Sequence, residues 1–98
     1  MMLVALERFD LRIPGCGSLK QKRHVVKSLT AALRQKFNVS VAEVEHHDLW
    51  QRTGIAVAAT GAEHFQVRKV MHEVERFVER WPEVEVIDAE LSVHAPED

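Results

Sequence analysis

This 98-residue sequence has only one cysteine, no long apolar run, and no acidic residue between Asp10 and Glu43. Without a partner, Cys16 cannot form an intramolecular disulfide or help to build a cysteine-rich zinc site. A membrane-spanning helix needs roughly 20 apolar residues in a row. The N-terminus, MMLVALERFD, has acidic residues where a signal peptide would continue its apolar segment. We therefore expect a cytoplasmic protein without a membrane partner.

The composition is typical of one ordinary globular domain. Hydrophobic residues make up 46% of the chain and charged residues 29%, which is the balance of a folded rather than a disordered protein. A chain of this length can remove roughly 60 to 68% of its extended-chain surface from water. We expect a single domain over residues 1–98, with a frayed tail from Ala95 to Asp98.

The net charge of -2 conceals an asymmetric distribution. Residues 1–38 contain eight Lys or Arg and two acids, whereas residues 39–98 contain five Lys or Arg and thirteen acids. The chain is basic in its first part and acidic in the rest. Only the fold decides whether this asymmetry persists in space.

Apolar periodicity predicts the element order βαββαβ. The expected strands lie near 3–13, 39–47, 52–60 and 84–94, and the expected helices near 18–36 and 61–81. Two right-handed βαβ crossovers joined at a central hairpin form a ferredoxin-like sandwich. The predicted fold class is therefore α+β, with a four-stranded antiparallel sheet in the order 4-1-3-2 and both helices on one face.

Local signals predict where these elements begin and end. Ser18 and Gln21 have the capping-box spacing, as do Thr60 and Glu63, and each pair is expected to start a helix. Asn38 is the expected turn residue after the first helix. The second strand has an ambiguous parity, which a bulge or an edge position would explain.

Strand parity predicts which side chains occupy the sheet face that the helices leave open. This face is expected to carry Val4, Leu6, Arg8, Asp10, Arg12, Ala56, Ala58, Asp88 and Glu90, with Val84 and Val86 on the same parity. Small residues at Gly54, Ala56 and Ala58 would let another surface come close. Contiguous apolar surface usually marks a contact site, so a homodimer through this face is one candidate assembly.

Two inward-facing assignments follow from the same alternation. In the last strand the residues expected to face the core are Ile87, Ala89, Leu91 and Val93. In the first strand Glu7 falls on the inward, apolar parity and fits poorly there.

Three segments resemble the YlxP-like family of small bacterial proteins, a domain family of unknown function. They are IPGCGSLKQKR at Ile13 to Arg23, FNVSVAEV at Phe37 to Val44 and HHDLWQR at His46 to Arg52. The resemblance covers essentially the whole chain. It implies a ferredoxin-like fold and a bacterial cytoplasmic protein, often encoded among translation-initiation and ribosome-maturation factors. It implies no established activity.

The first helix carries the main candidate binding surface. All of its charges are positive, and Lys20, Lys22, Arg23 and Lys27 lie in its first half. Together with Ser18 and the loop before it, this basic start can bind an anion such as a phosphate, because positive side chains there oppose the helix dipole. Structured RNA or a ribosomal subunit is the expected partner. The alternatives are a solvated helix face, or ion pairs to acids of the second helix.

The turn at 46–51 offers weaker candidates. Trp50 and Arg52, two residues apart, can form a stacking platform for a base, or Trp50 can instead close the end of the core. His46, His47 and Asp48 have metal-ligand chemistry, but adjacent residues of an extended segment point to opposite faces. A polar hairpin tip is the favoured interpretation, and no metal is expected.

The sequence has no complete catalytic signature. Acylphosphatases share this size and strand order, but their phosphate loop, G-x-V-Q-G-V-x-F-R, is absent, and neither a Walker spacing nor a dinucleotide fingerprint occurs. Cys16, near a helix N-terminus, has no evident base in the sequence. An acylphosphatase-like enzyme is therefore the less favoured alternative, and we expect a non-catalytic protein without a cofactor.

Overall fold

The chain forms a four-stranded sheet and two helices in a computed structural model that describes residues 1–96. The elements are β1 Leu3–Arg12, α1 Leu19–Lys36, β2 Ser40–Glu45, β3 Arg52–Gly61, α2 His64–Glu79 and β4 Glu85–His94. The sheet order is β2-β3-β1-β4, and each neighbouring pair is antiparallel. Read from the other edge, this is the order 4-1-3-2. The predicted ferredoxin-like α+β fold is confirmed.

One face of the sheet and both helices enclose the core. In β1, fully buried residues alternate with more exposed ones, and the buried set includes Leu3, Ala5, Phe9 and Leu11. The helices contribute the stripes that their periodicity predicts, Val25, Leu29 and Leu33 from α1 and Val67, Met71, Val74 and Val78 from α2. Fully burying an aliphatic or Phe side chain contributes about 1.5 to 3 kcal/mol. This core is thus the main source of stability.

Helix α1 begins as its capping signal predicts. The hydroxyl oxygen of Ser18 accepts a hydrogen bond from the Gln21 backbone N–H at 3.1 Å, and Gln21 Oε1 accepts from the Gly17 N–H at 2.7 Å. At the other end, Phe37 is the C-cap and has an extended backbone, φ -122°. Asn38, the predicted turn residue, lies in the bend that follows this C-cap, and its backbone is not left-handed.

Helix α2 begins later than predicted. β3 continues through Gly61, which pairs with Leu3 of β1, and the helix starts at His64. Its N-cap, Glu63, makes no side-chain capping hydrogen bond. The predicted start at Thr60 is wrong because sheet pairing holds this segment extended. The first turn packs closely on β3, since a Cβ at Gly61 would lie 2.6 Å from Cγ1 of Val67.

Strand β4 contains a bulge at Ile87. Asp88 pairs with Asp10 of β1, but the next pair is Val86 with Leu11, so Ile87 has no partner of its own. A bulge inserts one residue and reverses the facing of the strand beyond it. Ile87 is consequently 44% exposed.

The bulge corrects three predictions about β4. Ile87 was expected in the core, and Val84 and Val86 were expected on the open face. Instead Val84 is buried and Val86 packs against the core. C-terminal to the bulge, the predicted facing of Leu91 and Val93 is confirmed, since both pack against the core. Ala89 was also expected to face the core, and this expectation is wrong because Ala89 is exposed on the edge strand.

Strand β2 is both irregular and at the sheet edge, as its ambiguous parity predicts. Its register with β3 shifts between Glu43 and Glu45, and no strand within residues 1–96 pairs with its outer side. The expectation that Gly54 leaves room for another surface is wrong. A Cβ there would lie 2.7 Å from the Cβ of Glu45, because the Glu45 side chain already covers it.

Glu7 is the polar exception on the buried face of β1. Its side chain is fully buried. When Glu7 is ionised, neither of its carboxyl oxygens has a hydrogen-bond donor among residues 1–96. Burial raises the pKa of Glu7 to about 9, and the adjacent carboxyl of Glu75 adds to this rise through a hydrogen bond and through its charge, as does the charge of Glu79. A protonated Glu7 can donate to Glu75, which satisfies the pair at neutral pH.

The last residues of the described chain are partly packed. Ala95 packs against the core, so the predicted fraying does not begin there, while residues 97–98 of that tail lie outside the described residues. Within residues 1–96, neither helix is long and apolar enough to cross a membrane.

Candidate functional site

The charge asymmetry of the sequence persists in space. α1, which carries only positive charges, packs against β2 at one edge of the sheet. β4 forms the opposite edge and carries Glu85, Asp88 and Glu90. The helix at the β2 edge is therefore basic and the β4 edge is acidic, although β2 itself contributes Glu43 and Glu45.

Three cations form what we call the basic face of α1: Lys20, Arg23 and Lys27. They are spaced at i, i+3 and i+7, which places them on one side of a helix, and all three are exposed. Among residues 1–96 none of them forms an ion pair. Their positive charge is therefore not cancelled within the described chain.

Lys22 does not belong to this exposed face, so its predicted place beside Lys20 and Arg23 on the helix surface is wrong. Its side chain is only 2% exposed, and its Nζ lies 3.1 Å from Oε2 of Glu43. Nζ also donates to the backbone carbonyls of His46 and His47. Two residues along a helix turn the side chain by about 200°, which directs Lys22 toward β2 while Lys20 faces solvent.

Glu43 is the acid that compensates a cation of α1. Its Oε2 also accepts a hydrogen bond of 2.7 Å from the buried hydroxyl of Thr53. The alternative of ion pairs between α1 and acids of the second helix is wrong, because the pairing acid, Glu43, comes from β2. Glu43 neutralises Lys22 only. The basic face keeps its charge.

A groove of about 430 Å³ runs between α1 and the edge strand β2. Arg23, Lys27 and Arg34 lie along its helical side. Arg34 Nη2 donates to the carbonyl of Val41 at 2.5 Å, so the outer edge of β2 is partly covered by a charged side chain. Such cover protects an edge strand from pairing with other chains.

The loop before α1 is tied to the central hairpin. Gln51 Nε2 donates to the carbonyl of Cys16 at 3.2 Å, and the buried Cys16 thiol donates to the carbonyl of Ser18 at 3.4 Å. Ser18 itself caps the helix. The structure therefore gives Ser18 a capping role. The loop itself lines a pocket of about 570 Å³ together with Lys20.

Trp50 and Arg52 lie at the hairpin turn and line the same surface pocket of about 400 Å³. Arg52 forms a bidentate ion pair with Asp10. Its Nη2 lies 2.7 Å from Oδ2, and its Nε lies 3.3 Å from Oδ1. Trp50 lies in the hairpin turn and is 50% exposed, so it does not close the end of the core. The Arg52 guanidinium is therefore engaged by Asp10, while the Trp50 ring stays exposed in the same pocket.

The open sheet face is divided into a charged half and an apolar half. Arg8 contacts Glu45 at 2.8 Å and Glu90 at 3.2 Å, and the hydrogen bond and charge of Glu45 raise the pKa of Arg8. Val4 and Leu6 lie on the other half, where Leu6 pairs with Ala58. None of the outward residues of these strands is Phe, Tyr or Trp, so the sheet offers no ring for stacking bases.

His46, His47 and Asp48 lie in the polar turn between β2 and β3. His46 has a left-handed backbone, φ 61°, which His adopts more readily than most residues. Its Nε2 lies 3.6 Å from Oδ1 of Asp10. Within the described residues no three His, Cys, Asp or Glu side chains are grouped to hold a metal ion.

The fold and the surface define a small ferredoxin-like α+β domain whose first helix carries the unpaired basic face. Residues 4–91 match the family described as "Protein of unknown function (DUF503)", and the chain belongs to this family. Over 83 residues it is 41% identical to the uncharacterized protein YlxP of Bacillus subtilis (strain 168), an alignment that covers 85% of this chain and 90% of that protein. The resemblance to the YlxP-like family is confirmed.

Solved structures support the fold alone. The de novo designed protein Foldit4 superposes with a TM-score of 0.58 at 10% identity, covering 97% of this chain and 98% of that one. A C-terminal segment of the alpha subunit of aIF2 from Pyrococcus abyssi superposes with a TM-score of 0.53 at 12% identity, covering 96% of this chain and 51% of that one. These identities are too low to transfer a function.

Proposed function

We propose that this protein is a non-catalytic module that binds structured RNA, on a ribosomal subunit, through the basic face of α1. The observation that carries the proposal is the set of three exposed cations, Lys20, Arg23 and Lys27, without an acidic partner among residues 1–96. Neighbouring like charges on a helix repel each other. An RNA backbone relieves that repulsion with its phosphates.

The chemistry of the face fits phosphates rather than bases. Arg23 can hold a phosphate with two parallel hydrogen bonds, and the two lysines act as point charges beside it. From Lys20 to Lys27 the helix rises about 10 Å at 1.5 Å per residue. Contacts of this kind orient a protein on RNA but do not read sequence. The open sheet face, with no aromatic ring on its strands, gives no second reading surface of the stacking type.

The affinity should be modest and strongly salt-dependent. The chain as a whole is acidic, with a net charge of -2, and Glu43 and Asp48 lie along the groove beside the basic face. Each lost phosphate contact lowers the slope of log K against log salt by roughly one unit. Replacing all three cations with Ala should therefore flatten the slope by about three units.

Co-sedimentation with ribosomal subunits at two salt concentrations tests the proposal. Wild type should pellet with a subunit at about 50 mM salt and dissociate at about 200 mM. The triple variant K20E/R23E/K27E should stay folded by circular dichroism and remain in the supernatant. Lys27→Glu and Arg68→Glu form a matched pair, because both reverse an exposed helix cation and only Lys27 belongs to the basic face.

Two results would overturn the proposal. One is a wild-type protein that pellets with no subunit and binds no structured RNA at low salt. The other is a triple variant that binds as wild type does, in which case the basic face of α1 is only a solvated surface.

A second candidate function is self-association through the apolar half of the open sheet face. Leu6 is 40% exposed there, beside Val4 and opposite Ala58. The bulge in β4 removes Val84 and Val86 from this patch, so the apolar area is smaller than the sequence suggests. A weak homodimer is the assembly that this area supports.

A further inference from the structure

A groove between the two helices combines aromatic rings with unpaired cations. It encloses about 480 Å³, within the usual range of small-molecule sites. Phe37, Phe77 and Trp81 form its half-buried aromatic part. The ring centroids of Phe37 and Phe77 are 5.8 Å apart in a T-shaped arrangement, and those of Phe77 and Trp81 are 5.7 Å apart with a tilt of 34°.

Four cations and one carboxylate surround these rings. Lys36 comes from α1, and Lys69, Arg76 and Arg80 come from α2 and its C-cap, with Glu73 as the acid. None of the four cations forms an ion pair among residues 1–96. The groove is therefore positively charged, although α2 as a whole carries as many acids as cations.

The positions of these cations are suited to a ligand. Lys36 Nζ lies 5.4 Å from the ring centroid of Phe77 and 5.8 Å from that of Phe37, which holds its charge at the groove. Lys69, Arg76 and Arg80 recur at i, i+7 and i+11, so they follow one stripe for about 16 Å. Cations near a helix C-terminus stabilise the helix dipole, but Lys69 lies in the first half of α2, where this effect does not explain it.

We propose that this groove is a nucleotide site. Phosphate would bind Arg76, Arg80 and Lys69, since Arg recognises phosphate with paired hydrogen bonds. The base would stack on the ring of Trp81, as bases do on aromatic side chains. The same chemistry suits a free nucleotide and an unpaired nucleotide of an RNA strand.

This site is separate from the basic face of α1. Sixteen residues at about 100° each place Lys36 roughly 160° around the helix from Lys20. The two surfaces thus lie on opposite sides of α1, and the nucleotide site does not depend on the proposed RNA contact.

Fluorescence of Trp81 tests the site directly. In a W50F background Trp81 is the only tryptophan, because the chain has two. AMP and UMP should quench its emission saturably, and inorganic phosphate should compete with them. R76E/R80E removes both proposed arginine contacts to phosphate and should raise the apparent Kd by about tenfold or more. R68E, which reverses an exposed α2 cation that does not line the groove, should leave Kd unchanged.

The remaining outcomes either overturn the proposal or identify the source of the ligand. An oligonucleotide that binds much more tightly than AMP identifies an RNA strand, and equal binding identifies a free nucleotide. The proposal is overturned if neither changes Trp81 emission, if mononucleotides bind no more tightly than inorganic phosphate, or if R76E/R80E and the milder R76Q/R80Q both bind as wild type. K20E/R23E/K27E should retain nucleotide binding, so failure of the ribosomal experiment leaves this test intact.

Discussion

Lys22 and Glu43 form a largely buried ion pair, with 3.1 Å between Nζ and Oε2, that joins α1 to the edge strand β2. The lysine side chain is 2% exposed and the glutamate side chain 23% exposed. Lys22 also holds the carbonyls of the hairpin turn, and Glu43 holds Thr53 of β3. Lys22 therefore links α1 to the hairpin, whereas its neighbours Lys20 and Arg23 are exposed to solvent.

Replacing Lys22 should destabilise the protein far more than replacing its neighbours. Removing one partner of a buried pair leaves the other charge uncompensated and costs about 3 to 5 kcal/mol; the partial exposure of Glu43 favours the lower end. Urea denaturation of Lys22→Ala measures this loss. Lys20→Ala is the control and should change the free energy of unfolding by about 0.5 kcal/mol or less. Equal losses in the two variants would contradict the assignment.

Glu7 should make the protein less stable as the pH rises. Unfolded, this side chain titrates near 4.5, whereas in the folded protein burial and Glu75 raise its pKa to about 9. Between these values the folded state keeps a proton that the unfolded state releases, so the free energy of unfolding decreases with increasing pH. The contribution is fully present below about 4.5 and is lost as the pH passes through about 9.

Glu7→Gln should remove this pH dependence of the free energy of unfolding, because glutamine stays neutral at every pH. Urea denaturation of wild type and variant at several pH values between about 5 and 9 makes the comparison. Glu73→Gln, an exposed change on α2, serves as the control. If wild type and Glu7→Gln lose stability in parallel across this range, the buried carboxyl is not the cause.

Leu6→Lys should abolish self-association, if the apolar half of the open face mediates it. Light scattering on wild type at high micromolar concentration should then give a mass approaching twice the 11.2 kDa of one chain. A charge at the centre of the patch should return it to the monomer value, because a buried unpaired lysine is costly at an interface. Ile87→Lys changes an equally exposed apolar residue near the charged half and should have no effect. A wild-type mass of one chain throughout would rule out the dimer.

The basic face was predictable in large part from the sequence. The absence of acids between Asp10 and Glu43 is visible in the printed chain, and helical spacing places Lys20, Arg23 and Lys27 together. The burial of Lys22 was not predictable, because its partner is 21 residues away in a strand whose register only the folded sheet defines. The groove between the helices was missed for the same reason, although the spacing of Lys69, Arg76 and Arg80 hinted at one side of it.

By itself the sequence determined the element order, the core stripes and the Ser18 cap, since periodicity and capping depend on residues a few positions apart. Tertiary structure decided the features that need distant partners. Pairing with β1 prolonged β3 through Gly61 and placed the bulge at Ile87. Packing against β2 turned Lys22 from a surface cation into a structural one. Local chemistry specifies which side chains are available, but only the folded chain determines which of them meet.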